Sequence, residues 1–248
     1  MNNDQGYLRP GERIDDLQLC NLRVIQSPDA FRFSMDSVLL ADFARPAKRD
    51  VCVDLGCGTG AIALMLLARQ PEIAVTGVEI QPHAADMARR SARINGVEQR
   101  FRVLEGDMRE IYRKTGRGVF SLAVCNPPYF KEGGALKNPD PALRTARHEG
   151  DLSPGELCAA AARLLKFGGR FAVIYPAPRA LEMLRAMEEA GIAPKRLRTV
   201  QGIAGKPPKH VLMDGIRGAG PGLHWMEPLI LKDENGDYTP EWHRIYGM

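Results

Sequence analysis

The sequence predicts an α/β fold with a doubly wound, mostly parallel sheet and a closing antiparallel strand. Short, β-rich runs alternate along the chain with amphipathic stretches, which is the pattern of parallel strands joined by crossover helices. A glycine-rich segment stands where the first of these runs turns into its helix. No internal repeat, low-complexity tract or linker interrupts the alternation, so we expect one layered unit.

Each predicted element follows from its apolar period and its flanking turn residues. Val51–Leu55 is apolar and β-branched, as expected of a buried strand. Pro82 and Asn95-Gly96 have the residue types that begin and end helices, and Ser153-Pro-Gly-Glu156 is a cap-and-Glu signal. The arrangement is Rossmann-like. The other predictions are helices over 60–69, 82–95 and 180–190, strands over 74–79, 100–104, 120–125 and 169–175, and a closing antiparallel pair over 209–216 and 223–231.

Composition limits the function classes. The 248 residues suit one α/β domain, for which we expect residues 1–30 to be an N-terminal extension and 31–248 the domain. No apolar run approaches the roughly 18 residues that cross a bilayer, and the polar N-terminus predicts a cytoplasmic protein. The five cysteines form no CxxC pair, so we expect neither disulfides nor a metal site. The net charge of +4 permits an anionic partner without requiring one. The sequence does not indicate an oligomeric state.

The glycine-rich turn after the first strand is the predicted cofactor loop. Glycines at 56, 58 and 60 allow a tight turn and a close approach of the backbone to a ligand. Such turns also occur without a ligand, and the spacing even fits a dinucleotide fingerprint with Ala61 in the third place. Two acids favour a ligand site: Glu79 could accept hydrogen bonds from two ribose hydroxyls, and Asp107 from an adenine amino group. The predicted cofactor contacts are Asp54, Gly56, Cys57, Gly58, Gly60, Glu79, Ile80, Asp107, Met108 and Asn126.

Asn126-Pro-Pro-Tyr129 follows the fourth strand and carries the predicted catalytic chemistry. The amine of an adenine is a poor nucleophile because its lone pair is delocalised into the ring. Two acceptors, the Asn126 carboxamide oxygen and the Pro127 carbonyl, would hold the two amino hydrogens as positive charge develops. Pro128 restricts Pro127 to extended geometry, and Tyr129 offers a ring for stacking. The same four residues could also be a simple turn with a core aromatic.

Together these motifs resemble class I S-adenosylmethionine-dependent methyltransferases. Val53–Gly60 resembles the first motif of that family, which implies that the glycines pass beneath S-adenosylmethionine and that Asp54 helps to hold its amino-acid end. Asn126–Tyr129 resembles the motif of amino methyltransferases acting on adenine, cytosine or a glutamine side chain. NAD-dependent oxidoreductases share the glycine loop but have no use for this tetrapeptide.

From Phe31 to Tyr246 the chain resembles bacterial enzymes that methylate N6 of an adenine beside the anticodon of a valine tRNA. The resemblance implies an RNA partner, with tRNA as the expected substrate. Methylation of a protein glutamine or a guanine amine, and a non-catalytic cofactor-binding module, stay open as alternatives. A second basic region, over 195–198 and 206–210, could extend an RNA surface. The expected substrate contacts are Phe33 and Asp36 before the glycine loop, and Lys131, Arg144, Arg147 and His148 in the long basic loop after Tyr129, which also carries Lys137.

Overall fold

The computed structural model describes residues 4–28, 34–127 and 152–247. Its strands and helices alternate over most of the chain, as the sequence predicts. In order they are β1 (Arg13–Asp16), β2 (Arg23–Gln26), α1 (Met35–Ala44), β3 (Val51–Leu55), α2 (Ala61–Arg69), β4 (Ala74–Glu79), α3 (Pro82–Ile94), β5 (Phe101–Glu105), α4 (Tyr112–Thr115), β6 (Phe120–Cys125), α5 (Pro154–Leu164), β7 (Leu165–Pro176), α6 (Ala180–Glu189), β8 (Ile192–Ile203), β9 (His210–Arg217), β10 (His224–Trp225), β11 (Leu229–Lys232) and α7 (Pro240–Tyr246).

The main sheet has the strand order β10-β8-β9-β7-β6-β3-β4-β5, and β11 also pairs with β8. Neighbouring strands are parallel except at β9, which is antiparallel to both β7 and β8. The predicted sheet with its closing antiparallel strand is therefore confirmed. From β3 the chain proceeds outward to β4 and β5 and then returns to the other side of β3 as β6. This reversal opens a crevice at the carboxyl ends of β3 and β6, where ligands bind in such sheets.

The sheet has apolar side chains on both of its faces, and each face packs into a separate hydrophobic cluster. In β3, Cys52 packs into one hydrophobic cluster, whereas Val53 and Leu55 pack into another. In β7, Ile174 belongs to the first cluster and Val173 to the second. Because successive side chains of a strand point to opposite faces, a strand covered on both faces must be apolar throughout. Helices α1, α2 and α3 contribute to the first cluster, and α5 and α6 to the second.

The predicted pairing at the C-terminal end is wrong. The predicted strand over 223–231 is divided into β10 and β11, and both strands run parallel to β8 instead of antiparallel to β9. The sequence prediction lacked β8 itself, whose Pro194, Lys195 and Arg196 give it no apolar run. Strand β7 begins at Leu165, four residues earlier than expected, and the predicted capping box at Ser153 is present.

Residues before α1 form an antiparallel hairpin, β1–β2, that packs on α3. The N–H of Ile25 donates to Ser91 Oγ at 2.9 Å, and Arg90 Nη2 donates to Glu12 Oε1 at 2.7 Å. The side chain of Glu12 is 1% exposed, and the hydrogen bond from Arg90 lowers the pKa of its carboxyl. Within the described ranges no helix combines the length and apolarity that a bilayer crossing requires. The boundary expected at residue 30 stays a prediction.

Candidate active site

The glycine loop leaves β3 and enters α2 through left-handed backbone. Gly56, Gly58 and Gly60 have φ values of +74°, +53° and +91°, which side chains with a Cβ rarely adopt. A Cβ on Gly60 would approach the Phe101 ring to 2.7 Å, so packing also requires glycine there. A Cβ on Gly58 would meet no atom within 4 Å, so the described residues leave open space above this glycine.

Glu79, at the end of β4, fastens this loop. Its Oε2 accepts a hydrogen bond from the Gly58 N–H at 2.8 Å, and its Oε1 accepts one from the Gln81 N–H at 2.9 Å. Burial raises the pKa of Glu79, while these two backbone donors oppose the rise. Each carboxylate oxygen has a second lone pair for a ligand hydroxyl. Sequence reasoning missed the contact with Gly58, because residues 21 positions apart meet only when β3 and β4 pair.

Asp54 lies fully buried at the end of β3. Neither carboxylate oxygen makes a hydrogen bond with the described residues, and burial raises its pKa to about 7. The backbone N–H of Ala63 opposes that rise without reaching hydrogen-bond geometry. A buried polar group without a partner is rare and costly. This carboxylate is therefore suited to a cationic ligand group, such as the ammonium of an amino acid, that would supply the missing hydrogen bonds.

Asp107, after β5, is in the opposite electrostatic state. Its carboxylate accepts hydrogen bonds from the Arg109 N–H at 2.8 Å and from Arg109 Nη2 at 2.6 Å. The guanidinium of Arg109 lowers the pKa of Asp107 and also binds Glu156 Oε1 at 3.0 Å. Sequence reasoning missed Arg109, although its spacing of two residues from Asp107 was a usable signal.

A small cleft of about 80 Å³, partly open to solvent, lies between the ends of β3, β4 and β5. Ile80 is 51% exposed there, so it offers apolar surface to a planar ring. Five of the predicted cofactor residues meet in this cleft. Its lining is Gly56, Val78, Glu79, Ile80, Gly106, Asp107, Met108, Arg109 and Leu152.

Cys57 is a packing residue within the loop. A Cβ on Gly77 would come within 2.6 Å of the Cys57 Sγ, so this glycine makes room for the thiol. Burial raises the thiol pKa well above its ordinary value. The Cys57 N–H donates to the Val78 carbonyl at 3.0 Å. The contact of Cys57 with a cofactor stays a prediction, and its side chain instead joins the loop to the sheet.

Asn126 emerges from β6 beside the glycine loop. Asp54 of β3 is opposite Val124 of β6. The segments that follow these two strands therefore leave the sheet side by side, about 4.8 Å apart. Asn126 is half-buried, and its Nδ2 donates to Ser37 Oγ at 3.4 Å. Ser37 lies in the first turn of α1, which covers this edge of the sheet. Sequence reasoning missed Ser37. Pro127 is buried.

Several predicted site residues lie outside the described residues: Phe33, Pro128, Tyr129, Lys131, Arg144, Arg147 and His148. Asp36 is described, and its side chain lies against His210. Its Oδ1 lies 3.6 Å from His210 Nδ1, at the start of β9, and its side chain is 15% exposed. Burial raises the pKa of Asp36, which His210 opposes. Its predicted contact with substrate stays a prediction.

Comparisons with known proteins agree with this geometry. The family model described as methyltransferase small domain matches residues 22–192. A Porphyromonas gingivalis protein named tRNA1(Val) (adenine(37)-N6)-methyltransferase is 34% identical over 229 residues, covering 89% of each chain. A Yersinia pestis protein of the same name is 29% identical, covering 87% of this chain and 86% of its own.

The crystal structure of a predicted O-methyltransferase from Agrobacterium tumefaciens has the same fold. Its TM-score is 0.71 at 22% identity, with 86% of this chain and 96% of that chain covered. The similarity predicted from the glycine loop and Asn126–Tyr129 is thus confirmed by independent matches over most of the chain. The chain therefore belongs to the methyltransferase small domain family.

Proposed function

We propose that this protein is an S-adenosylmethionine-dependent methyltransferase that modifies the exocyclic N6 of an adenine in tRNA, in the anticodon region, in the cytoplasm. The observation that carries the proposal is the parallel pairing of β3 with β6, which brings the glycine loop and Asn126 to one edge. Relatives that share about a third of its sequence have names with this activity. Base access is cheap in an anticodon loop because the nucleotides there are single-stranded.

The residues of the cleft fit the cofactor. Glu79 has acceptor capacity for hydroxyls, and Ile80 has exposed apolar surface. Asp54, two residues before Gly56 of the cleft, has a buried carboxylate without a hydrogen bond from the described residues, which fits an ammonium group. S-adenosylmethionine, when bound, supplies an electrophilic methyl group on a sulfonium. Every further requirement falls on the protein: to place the adenine amine at this edge and to make its lone pair available.

Asn126 and Pro127 meet that requirement by accepting hydrogen bonds. The carboxamide oxygen and the Pro127 carbonyl would hold the two amino hydrogens, which favours a pyramidal nitrogen with its lone pair out of the ring plane. The interaction strengthens as the nitrogen becomes positive, so it stabilises the transition state more than the ground state. The new N–C bond would form as the sulfonium S–C bond breaks, with S-adenosylhomocysteine as the leaving group. One amino proton would then leave to solvent, and no strong base is needed. Ser37 positions the amide by accepting from Nδ2.

Replacing Asn126 with Ala tests this assignment. Turnover should fall by about 10²–10³, the usual loss when one such polar group is removed. Methyl transfer from labelled S-adenosylmethionine to a tRNA1(Val) transcript measures turnover, and calorimetry with S-adenosylhomocysteine measures cofactor affinity, which should stay within about threefold. Equal losses of turnover and cofactor affinity would contradict the catalytic role of Asn126.

The identity of the modified group can be read from the products. Nucleoside analysis of tRNA from a strain without the gene should lack one N6-methyladenosine, and the purified protein should restore it. Loss of a methylated guanosine, or label found in protein glutamine, would replace adenine as the substrate. Binding of NADH with no affinity for S-adenosylhomocysteine would overturn the methyltransferase assignment itself.

A further inference from the structure

We propose that the loop between β8 and β9, residues 204–209, contacts RNA phosphates beside the target base through Lys206 and Lys209. We call these six residues the β8–β9 loop. The proposal rests on the proposed function and deepens it, because it assigns a binding element for the RNA in the part of the chain that the structure describes. Four features of the loop support it: its position, its link to Asn126, its charge and its rigidity.

The loop lies at the same edge of the sheet as Asn126. Strand β8 ends at this edge, and β9 begins there with His210 opposite Pro176, the last residue of β7. The Lys209 carbonyl accepts from the Ala177 N–H at 3.0 Å, which fixes the loop against the end of β7. Only β7 stands between β9 and β6. At about 4.8 Å per strand, the loop is roughly 10 Å from the exit of β6, a distance suited to phosphates of nearby nucleotides.

The start of α1 links the loop to the catalytic asparagine. Asp36 faces His210 at 3.6 Å, and the next residue, Ser37, accepts from Asn126 at 3.4 Å. Two consecutive residues of one helix therefore contact both the residue after the loop and the residue that would hold the amine. This contact sets where Lys209, the neighbour of His210, stands relative to the target base.

The charge of the loop is available to a ligand. Lys206 and Lys209 are exposed, and neither forms an ion pair with a carboxylate among the described residues. The other basic segment, 195–198, is different. Arg196 pairs with Asp214 at 2.5 Å, and Arg198 pairs with Glu241 at 2.7 Å. When unpaired lysines neutralise phosphates, the counterions bound to the nucleic acid are released. This release is the main source of sequence-independent affinity for nucleic acids.

The loop is also held in one shape. Pro207 and Pro208 fix two φ angles, and Gly205 turns the chain at φ +72°. The Lys209 N–H donates to the Val200 carbonyl at 3.0 Å, which closes the hairpin. A binding element that is already ordered loses less entropy on binding than a mobile one. Strand β11 ends opposite Ile203, the last residue of β8, and the exposed acids Glu234 and Asp237 follow it. These acids lie on the outer side of the β8–β9 loop. We expect the RNA to run inward, from the loop toward β6.

The test replaces both lysines with Ala and measures RNA affinity as a function of salt. The matched control, Arg49→Ala with Lys166→Ala, removes the same charge from the opposite edge, before β3 and at the start of β7, and neither of these exposed side chains pairs with a carboxylate among the described residues. Two probes are used, an unmodified tRNA1(Val) transcript and its isolated anticodon arm. The loss of two phosphate contacts should reduce the slope of log K against log salt by about 1.4, with roughly tenfold weaker binding at physiological salt.

The reduced slope should appear with both probes, and kcat at saturating RNA and the affinity for S-adenosylhomocysteine should stay within twofold of wild type. A slope equal to that of wild type would overturn the proposal, as would an equal effect of the control variant. An effect on the whole tRNA that disappears with the anticodon arm would remove the loop from the neighbourhood of the target base. If the wild-type protein methylates neither RNA, the proposed function fails instead, which the lysine variants alone could not show.

Discussion

Asp54 and Asp107 occupy equivalent places, each near the carboxyl end of a parallel strand. The sequence predicts a cofactor contact for both, at the amino-acid end for Asp54 and at the adenine amino group for Asp107. The structure gives them opposite environments. Asp54 is fully buried with no hydrogen bond from the described residues, and its pKa is raised to about 7. Asp107 is held by Arg109, which lowers its pKa. The contrast shows that one of these carboxylates has no hydrogen-bond partner among the described residues, whereas the other already has one.

The largest expected effect is on cofactor affinity. Asp54→Asn should weaken binding of S-adenosylhomocysteine by roughly 10- to 100-fold at pH 7.5, because a charge-assisted hydrogen bond is lost, worth about 1.5–3 kcal/mol. The wild-type affinity should rise between pH 5.5 and 7, as Asp54 ionises, and then level off. Calorimetry across this range should find that rise absent in Asp54→Asn.

Asp107→Asn is the matched control for the pH dependence. The carboxyl of Asp107 is already ionised throughout this range, since its pKa is lowered. Its variant should therefore keep the wild-type rise between pH 5.5 and 7, whatever its absolute affinity. A rise that vanishes in Asp107→Asn and persists in Asp54→Asn would reverse the assignment of the two acids.

The next effect is on the stability of the ligand-free protein. The pKa of Asp54 is higher in the folded than in the unfolded chain, so the wild type loses stability as pH rises from about 4 to 7. Asn carries no charge and avoids this loss. Relative to wild type, Asp54→Asn should gain about 3 kcal/mol between pH 5 and pH 8, or several degrees in Tm. Thermal melts at the two pH values measure the gain, and an equal offset at both would disprove a buried, titrating Asp54.

The smallest effect is expected at Arg109. Its side chain is 36% exposed, so removing its ion pairs with Asp107 and Glu156 should cost less than about 1 kcal/mol. Arg109→Ala leaves Asp107 ionised at neutral pH, and cofactor affinity should change by less than about threefold. A thermal melt and a calorimetric titration test both statements. A loss above tenfold would show that Arg109 itself contacts the cofactor.

Local pattern was sufficient for much of the fold. Strands β4 and β6 have the predicted bounds, because apolar runs between turn residues mark them clearly. Strand β8 was not predicted because its first half is polar and gives no apolar run. Its place in the sheet depends on pairing with β9 and β11, which a local sequence pattern does not show. The hairpin β1–β2 was missed for a similar reason, since its stabilising partners lie on α3, more than 60 residues away.

The candidate site divides in the same way. The glycine loop, Glu79 and Asn126 could be predicted because each follows a strand, and the ends of parallel strands share an edge. Their supporting contacts could not. Ser37 is 89 positions from Asn126, and only the packing of α1 against α2, β7 and β9 brings the two side chains together. The depth at which Asp54 is buried likewise depends on the whole sheet and not on its neighbours in sequence.

The position of β9 has a consequence for the folding unit. The family model matches up to residue 192, where β8 begins, yet β9 has ladder hydrogen bonds on both of its sides, to β7 and to β8. In a polypeptide that ends at the family boundary, β7 would become an edge strand with unpaired N–H and C=O groups. Such an edge can pair with strands of other molecules. The smallest fragment worth expressing therefore continues through residue 246, because β11 completes the sheet and α7 buries Trp242 and Ile245 in the core.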